Sequence, residues 1–232
     1  MSETFTPKID PAIWALRPDF VALSVLVRHG RNGPSDEVSD ALLAEACRAA
    51  VSDGPPWAEA HLDAWREAYR AFGAKPQRTP CSAEALRRRA IRDGAVPTIN
   101  RLVDVYNTLS LRFAVPIGGE DLAAYDGAPR LTVAAGGEPF ETVKDGAPSV
   151  EPVDRGEVVW RDARGVTCRR WNWRQSPRTR LDLPTTEMWF VVERLAPMPL
   201  DALHAVGEEL VRAVQALAPD ARIEVATLTA RG

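Results

Sequence analysis

"VPTINRLVDVYNTLSLRFAVPIGGEDL", residues 96–122, is where the chain changes texture. Pro97 disfavours helix just before it and Asn100 is a good N-cap, so the spacing predicts a helix over 101–113. Leu102, Val103, Tyr106 and Leu109 face one way on it. Upstream, "FVALSVLVR" (20–28) is β-branched and apolar and reads as a buried strand. "GRNGPSDE" then breaks the chain, with Ser35 or Asp36 as cap for a helix from Glu37 to Ala50 that faces the core with Val38, Leu42, Ala46 and Ala49. After "DGPPW", Trp57, His61, Trp65 and Tyr69 recur every four residues up to the stop at Gly73, and a third helix runs from about Ser82 to Arg92. Downstream of Val115, short apolar runs alternate with Gly, Pro and Asp: "VPI", "RLTVA", "EVVWR", "VTCRRWNW", "TEMWFVVERL" and "RIEVATL". That texture is sheet. One helix interrupts it at about 200–217, with Leu203, Val206, Leu210, Val214 and Leu217 as its stripe. The expectation is an α+β fold in one domain over 1–232. Its N-terminal third, about 35–93, is mostly helical, and its core, about 96–232, is sheet-rich.

The 29 basic and 32 acidic residues of the 232 nearly cancel, so no global field draws nucleic acid and any polyanion site must be local. Only Lys8, Lys75 and Lys144 are lysines, and an arginine bias of that size follows from GC-rich coding, so Arg at a single position says little. Cys47, Cys81 and Cys168 lack CxxC spacing, which fits a reducing cytosol. With no basic start followed by an apolar run, and Phe20–Val27 too short to span a bilayer, the expected setting is cytoplasmic, away from membranes.

The local site is "CRRWNWRQSPRTR", residues 168–180. From Arg161 to Arg180, seven arginines face one acid, Asp162, a local charge of +6. Read as a strand, the segment alternates Cys168, Arg170, Asn172 and Arg174 with Arg169, Trp171, Trp173 and Gln175. Arginines interleaved with aromatics supply phosphate contacts and stacking surfaces. The other reading is an edge strand whose arginine stems cover the tryptophan rings. "RRRAIR" (87–92) reads as a solvated helix face. In "PIGGED" (116–121), paired glycines expose amides beside Glu120 and Asp121, whose carboxylates suit an ammonium or an activated water; a tight strand-to-helix turn capped by Asp121 fits equally well. "AGGEPF" (135–140) reads as a hairpin turn. His29, His61 and His204 have no ligand spacing, so no metal is expected, and His61 reads as a packing residue. Cys81, at a helix start, is either a lowered-pKa thiol or inertly buried. No cofactor motif occurs: G-x-S-x-G, the P-loop and G-x-G-x-x-G are missing.

Residues 96–122 resemble the editing module of the phenylalanyl-tRNA synthetase β chain, the B3/4 domain. They share its VD-x-x-N element, here Val103, Asp104 and Asn107, and a downstream P-x-x-x-x-D from Pro116 to Asp121. "GAPRLTVAAGGEPFETV" (127–143) and "GEVVWRDARGVTCRRWNWRQS" (156–176) continue the likeness in the same order, so that about 80–192 is covered well. The resemblance implies a layered fold with an unusual β-sandwich packed with helices. It also implies hydrolysis in trans of mischarged aminoacyl-tRNA, by a freestanding module whose partner is the tRNA 3′ end and not DNA. The alternative is a non-catalytic module that binds RNA or an amino-acid-like ligand. The family's site histidine falls on Gly118 and its pocket acid near Arg174 or Gln175, so substrate identity does not carry over. In the catalytic set that follows, Gly118 and Gly119 amides face the oxyanion and Glu120 holds the α-ammonium, while Asn172 and Arg174 hold the carbonyl or the terminal ribose-phosphate. Trp171 or Trp173 stacks on adenine, with Arg170, Gln175 and Asn107 completing the substrate-binding residues.

Overall fold

The computed structural model of the chain describes residues 5–52 and 54–230. A short strand β1 (Lys8–Ile9), helix α1 (Pro11–Leu16) and the long strand β2 (Val21–Arg28) lead into helices α2 (Glu37–Ser52), α3 (Ala58–Ala71), α4 (Ser82–Asp93) and α5 (Arg101–Phe113). Strands β3 (Ile117–Asp121), β4 (Arg130–Val133), β5 (Pro139–Lys144), β6 (Ala147–Pro152), β7 (Val158–Arg161), β8 (Val166–Arg169) and β9 (Arg174–Gln175) follow. The chain closes with β10 (Met188–Arg194), α6 (Leu200–Leu217) and β11 (Arg222–Leu228). The α+β class is as expected, and so is the position of α6.

Side-chain caps explain where the helices begin. Asn100 Oδ1 accepts from the Val103 amide at 3.1 Å to start α5, and Asp36 Oδ1 accepts from the Ser39 amide at 2.9 Å to start α2. The buried face of α2 is Ser39, Leu43, Ala46, Cys47 and Ala50, one residue round from the expected stripe; Val38 and Leu42 are exposed. Leu43 is the large residue of that face, and Ser39, Ala46 and Ala50 beside it let the helix approach α4 and α5 closely.

The strands form two sheets. The smaller runs β11-β2-β10-β3; the larger runs β1-β4-β7-β8-β5-β6, with β9 added to β8. The expected turn at 135–140 is there, but it joins β4 to β5, which are not neighbours, so it is not a hairpin. β2 and β10 are apolar on both faces because the smaller sheet is covered on both. Leu23, Val25, Val27, Met188, Phe190 and Val192 pack with Leu109 of α5 and with Leu203, Val206 and Leu210 of α6. Ala22, Leu26, Trp189 and Val191 face the other way, onto Leu131, Val158 and Trp160 of the larger sheet and Trp65 and Tyr69 of α3. Helices therefore flank a β-sandwich.

"IGGED" is not a turn but the edge strand β3, in register with β10 from Ile117 opposite Val192 to Asp121 opposite Met188. Asp121 does cap the 3-10 turn that follows, accepting from the Ala123 amide. Gly119 lies where no side chain fits: an added Cβ would stand 2.8 Å from Tyr106 Cε1, 2.9 Å from Leu181 Cδ1 and 3.2 Å from Phe190 Cδ1. Gly119→Ala should lose about 1–3 kcal/mol of stability, read as a lowered denaturation midpoint at constant slope.

Candidate functional site

Strand alternation sends Gly118 and Glu120 of β3, with Val191 and Glu193 of β10, to the face that looks at the larger sheet. Opposite them stand Trp160 of β7, Cys168 of β8 and the corner 171–173. Tyr106 and Asn107 of α5 close one side, and Arg88, Arg89 and Arg92 of α4 stand at the mouth. Together they bound a cavity of about 560 Å³, the size of a small-ligand site.

The corner is what places tryptophan and asparagine here. Residues 168–175 are not one continuous strand: β8 ends at Arg169, and Arg170 and Trp171 take left-handed φ values of 47° and 67°. Such a conformation costs a non-glycine residue about 1–2 kcal/mol, so the surroundings must hold it. They do so with hydrogen bonds from the Arg170 amide to Glu157 Oε1 at 2.9 Å and from the Trp171 amide to the Val158 carbonyl at 2.6 Å. The simple two-face alternation therefore fails, and Trp171 and Asn172 both turn inward.

Trp171 is fully buried and packs edge-on against Trp65 and Phe20, with ring centroids 5.2 Å and 5.0 Å away. Asn172 sits in a buried chain: Tyr69 Oη donates to Asn172 Oδ1 at 2.8 Å, and Asn172 Nδ2 donates to Glu193 Oε2 at 2.9 Å. Trp160 Nε1 donates to Glu193 Oε1, also at 2.9 Å. Burial nevertheless pushes the Glu193 carboxyl up to about 7, with Asn172 and Trp160 offsetting part of the shift. Glu120 is equally buried, and its Oε2 has no hydrogen-bond partner. Burial raises its carboxyl to about 7 too, with Thr179, Gln175 and Tyr125 as the offsetting neighbours. Cys168, between these acids, is driven well above the ordinary thiol range by burial and by the charges of Glu120 and Glu193. Burial pushes Cys81 up to about 12 and makes it the inert thiol of the two readings.

Of the expected site residues, Asn107, Gly118, Glu120, Trp171, Asn172, Trp173 and Gln175 line this cavity. Gly119 points to the opposite face of β3, and its carbonyl accepts from Gln175 Nε2 at 2.8 Å. Arg170 turns outward to a second cavity beside Lys75, Arg78 and Arg155, with its guanidinium 4.6 Å from the Trp173 ring centre. Arg174 bonds Thr142. The +6 segment is largely neutralised in three dimensions. Arg161 pairs with Glu138, Arg164 with Glu141, Arg169 and Arg170 with Glu157, Arg174 with Glu151 and Arg178 with Asp162. A charge count over 161–180 includes Asp162 but misses the other carboxylates, which lie 12 to 23 residues upstream of the arginines they pair with. The helix-face arginines 88, 89 and 92, conversely, stand at the cavity mouth, although Arg88 also pairs with Glu84 and Arg92 with Asp93.

Glu193 was missed. Its signal was in the sequence: a lone acid at the end of "MWFVVE", in a strand otherwise apolar on both faces. His61 is the packing residue it was read as. Its Nδ1 donates to the Ala114 carbonyl at 2.8 Å, its Nε2 accepts from the Leu195 amide at 3.1 Å, and burial lowers it to about 4. Among the described residues no three His, Cys, Asp or Glu side chains converge as metal ligands would, and no helix is long and apolar enough to cross a membrane.

A β-sandwich with helices outside and an acidic, aromatic cavity between its sheets defines an α+β domain with a candidate ligand site. The chain belongs to the B3/4 domain family, whose model matches residues 64–202, more than half of its length. This is the family of the resemblance seen at residues 96–122, the phenylalanyl-tRNA synthetase β-like family. No curated protein matches. Among solved structures, an N-terminal fragment of the phenylalanyl-tRNA synthetase β-subunit from Pyrococcus horikoshii is similar at 12% identity and a TM-score of 0.46, over 94% of this chain and 50% of that one. The chain thus spans about half the length of that fragment.

Proposed function

We propose that the domain hydrolyses aminoacyl esters at the 3′ end of tRNA, acting in trans in the cytoplasm. The observation that carries this reading is the convergence of Gly118, Glu120, Asn172 and Glu193, from two strands and a strained corner, on one cavity. An aminoacyl ester is an activated acyl group, and the neighbouring hydroxyl of the terminal ribose orients a water toward it, so the protein has mainly to hold and polarise it. Asn172 Nδ2 has two hydrogens. One is committed to Glu193, leaving the other for the developing oxyanion. Glu120 or Glu193 holds the α-ammonium, and the neighbouring ribose hydroxyl relays the proton of the attacking water to the leaving ribose oxygen, so that no protein base is needed. Trp173 offers its exposed edge to adenine, its face being partly covered by Arg170. The mouth arginines 88, 89 and 92 meet the last phosphates.

The test is release of amino acid from a panel of mischarged tRNAs by the purified chain, compared with buffer. Asn172→Asp keeps the shape but replaces the donor with a second acid against Glu193. It should cut kcat at least about 100-fold, the loss typical of one oxyanion donor, with tRNA affinity unchanged. No release above buffer from any tRNA, together with salt-dependent tRNA binding, would leave a binding module instead.

A further inference from the structure

The cavity is lined by two buried carboxylates and by no buried cation; the buried Arg178, whose charge Glu120 feels from outside the lining, is committed to Asp162. Its basic lining residues, Arg88, Arg89 and Arg92, are on the outer helix α4, with side chains 44%, 50% and 74% exposed. An aminoacyl ester with a neutral side chain brings one positive charge, its α-ammonium, because its carboxyl is esterified. It would leave one of the two acids unpaired, and a buried carboxyl without a cation stays protonated instead of ionising. A second cation on the ligand removes that mismatch.

The layout of the acids fixes where the second cation must be. Glu120 stands opposite Trp189 on β10, while the Glu193 amide bonds the Pro116 carbonyl. The two acids are thus offset by four residues along adjacent strands on one face, about 13 Å at the backbone. Between them on that face lie Gly118 and Val191, which are also opposite each other. Gly118 raises no side chain, and an added Cβ there would meet Val191 Cγ1 at 3.3 Å. The result is a flat, apolar floor with a carboxylate at each end. Tyr106, Trp160 and Trp173 line the cavity beside it. Glu193 is held by Trp160 and Asn172, whereas Glu120 Oε2, buried beside the cavity, has no hydrogen-bond partner. Acids this far apart do not share one metal ion; they suit the two ends of an extended dication.

From this geometry, and resting on the aminoacyl-ester reading above, we infer that the cavity selects aminoacyl groups with a long, cationic side chain, an amine or a guanidine. One acid takes the α-ammonium, the other takes the terminal cation, and the methylenes lie along Gly118 and Val191.

Binding of non-hydrolysable 3′-deoxy-3′-aminoacylamino-adenosines separates this from hydrolysis itself. The arginine and lysine amides, compared by calorimetry with the norleucine and tyrosine amides, show which terminal cation is preferred. The better of the two basic amides should bind at least tenfold more tightly than norleucine, which keeps the chain and lacks the charge. Glu120→Gln and Glu193→Gln, both isosteric, should each remove most of that ratio, and Gly118→Val should weaken the basic amides by obstructing the floor. Norleucine or tyrosine binding as well as arginine and lysine overturns the inference. So does a ratio unchanged in both glutamine variants, or no binding of any amide to wild type. Selective binding of a basic amide without hydrolysis of any aminoacyl-tRNA sinks the deacylase reading and leaves the selectivity intact.

Discussion

Glu157→Ala should destabilise the protein by about 3–5 kcal/mol and disorder the wall of the cavity, although residue 157 does not line it. Glu157 is buried at the end of the loop before β7, and both of its oxygens are in use. Oε1 accepts from Arg169 Nε at 3.0 Å and from the Arg170 amide at 2.9 Å, and Oε2 accepts from Arg169 Nη2 at 2.8 Å. Removing the carboxylate leaves the Arg169 guanidinium, 8% exposed, with Glu151 at 3.3 Å and the exposed Asp154 at 3.6 Å. It also frees the amide that holds the left-handed corner at Arg170 and Trp171. Denaturant unfolding measures the loss, and near-ultraviolet circular dichroism reads the Trp65–Trp171 contact. Glu157→Gln, which keeps acceptors but no charge, should fall between wild type and Ala. A cost below about 1 kcal/mol with an unchanged spectrum would show that the corner is held by packing alone.

Glu120→Gln and Glu193→Gln should each make the empty protein more stable at pH 8, by on the order of 2–3 kcal/mol, and make little difference at pH 4. Each carboxyl titrates near 7 in the folded protein and near 4.3 unfolded. Between those values the folded state holds the extra proton, so stability falls as pH rises through the window. Above about 7 the whole penalty of the buried charge remains, and glutamine, which does not titrate, escapes it. His61 works in the opposite sense. Its folded value of about 4 lies below the unfolded one, so its contribution is complete above about 6.5 and is lost as pH falls toward 4. The double glutamine variant should therefore keep only the acid-side decline, and wild type should show both slopes. Denaturation midpoints at pH 4.5, 6 and 8 distinguish these profiles, and parallel curves for variant and wild type would rule out buried ionisation. A site that sacrifices stability in this way is expected where binding needs the charge.

Much of the fold was legible. The cap at Asn100, the stop at Gly73 and the apolar stripe of α6 are local signals, and each is confirmed by a hydrogen bond, a positive φ or a buried row. The α2 face lies one residue round from the expected stripe because Leu42 and Leu43 are equally apolar, so periodicity alone does not decide which of them lies against a neighbouring helix. At the site, Glu120 and Asn172, named from the family blocks, line the cavity; Gly119 does not, because "IGGED" is a strand whose residues alternate, and Arg170 turns outward because the corner at 170–171 breaks the alternation expected of 168–175.

The sequence by itself determined the helices and strands, the α+β class and the B3/4 family, because capping, periodicity and block order act over neighbouring residues. The tertiary structure alone decided the chemistry of the cavity. Charge in a folded chain is summed over space: carboxylates from distant loops neutralise the arginine segment, and two acids 73 positions apart in sequence come to share one buried face of adjacent strands.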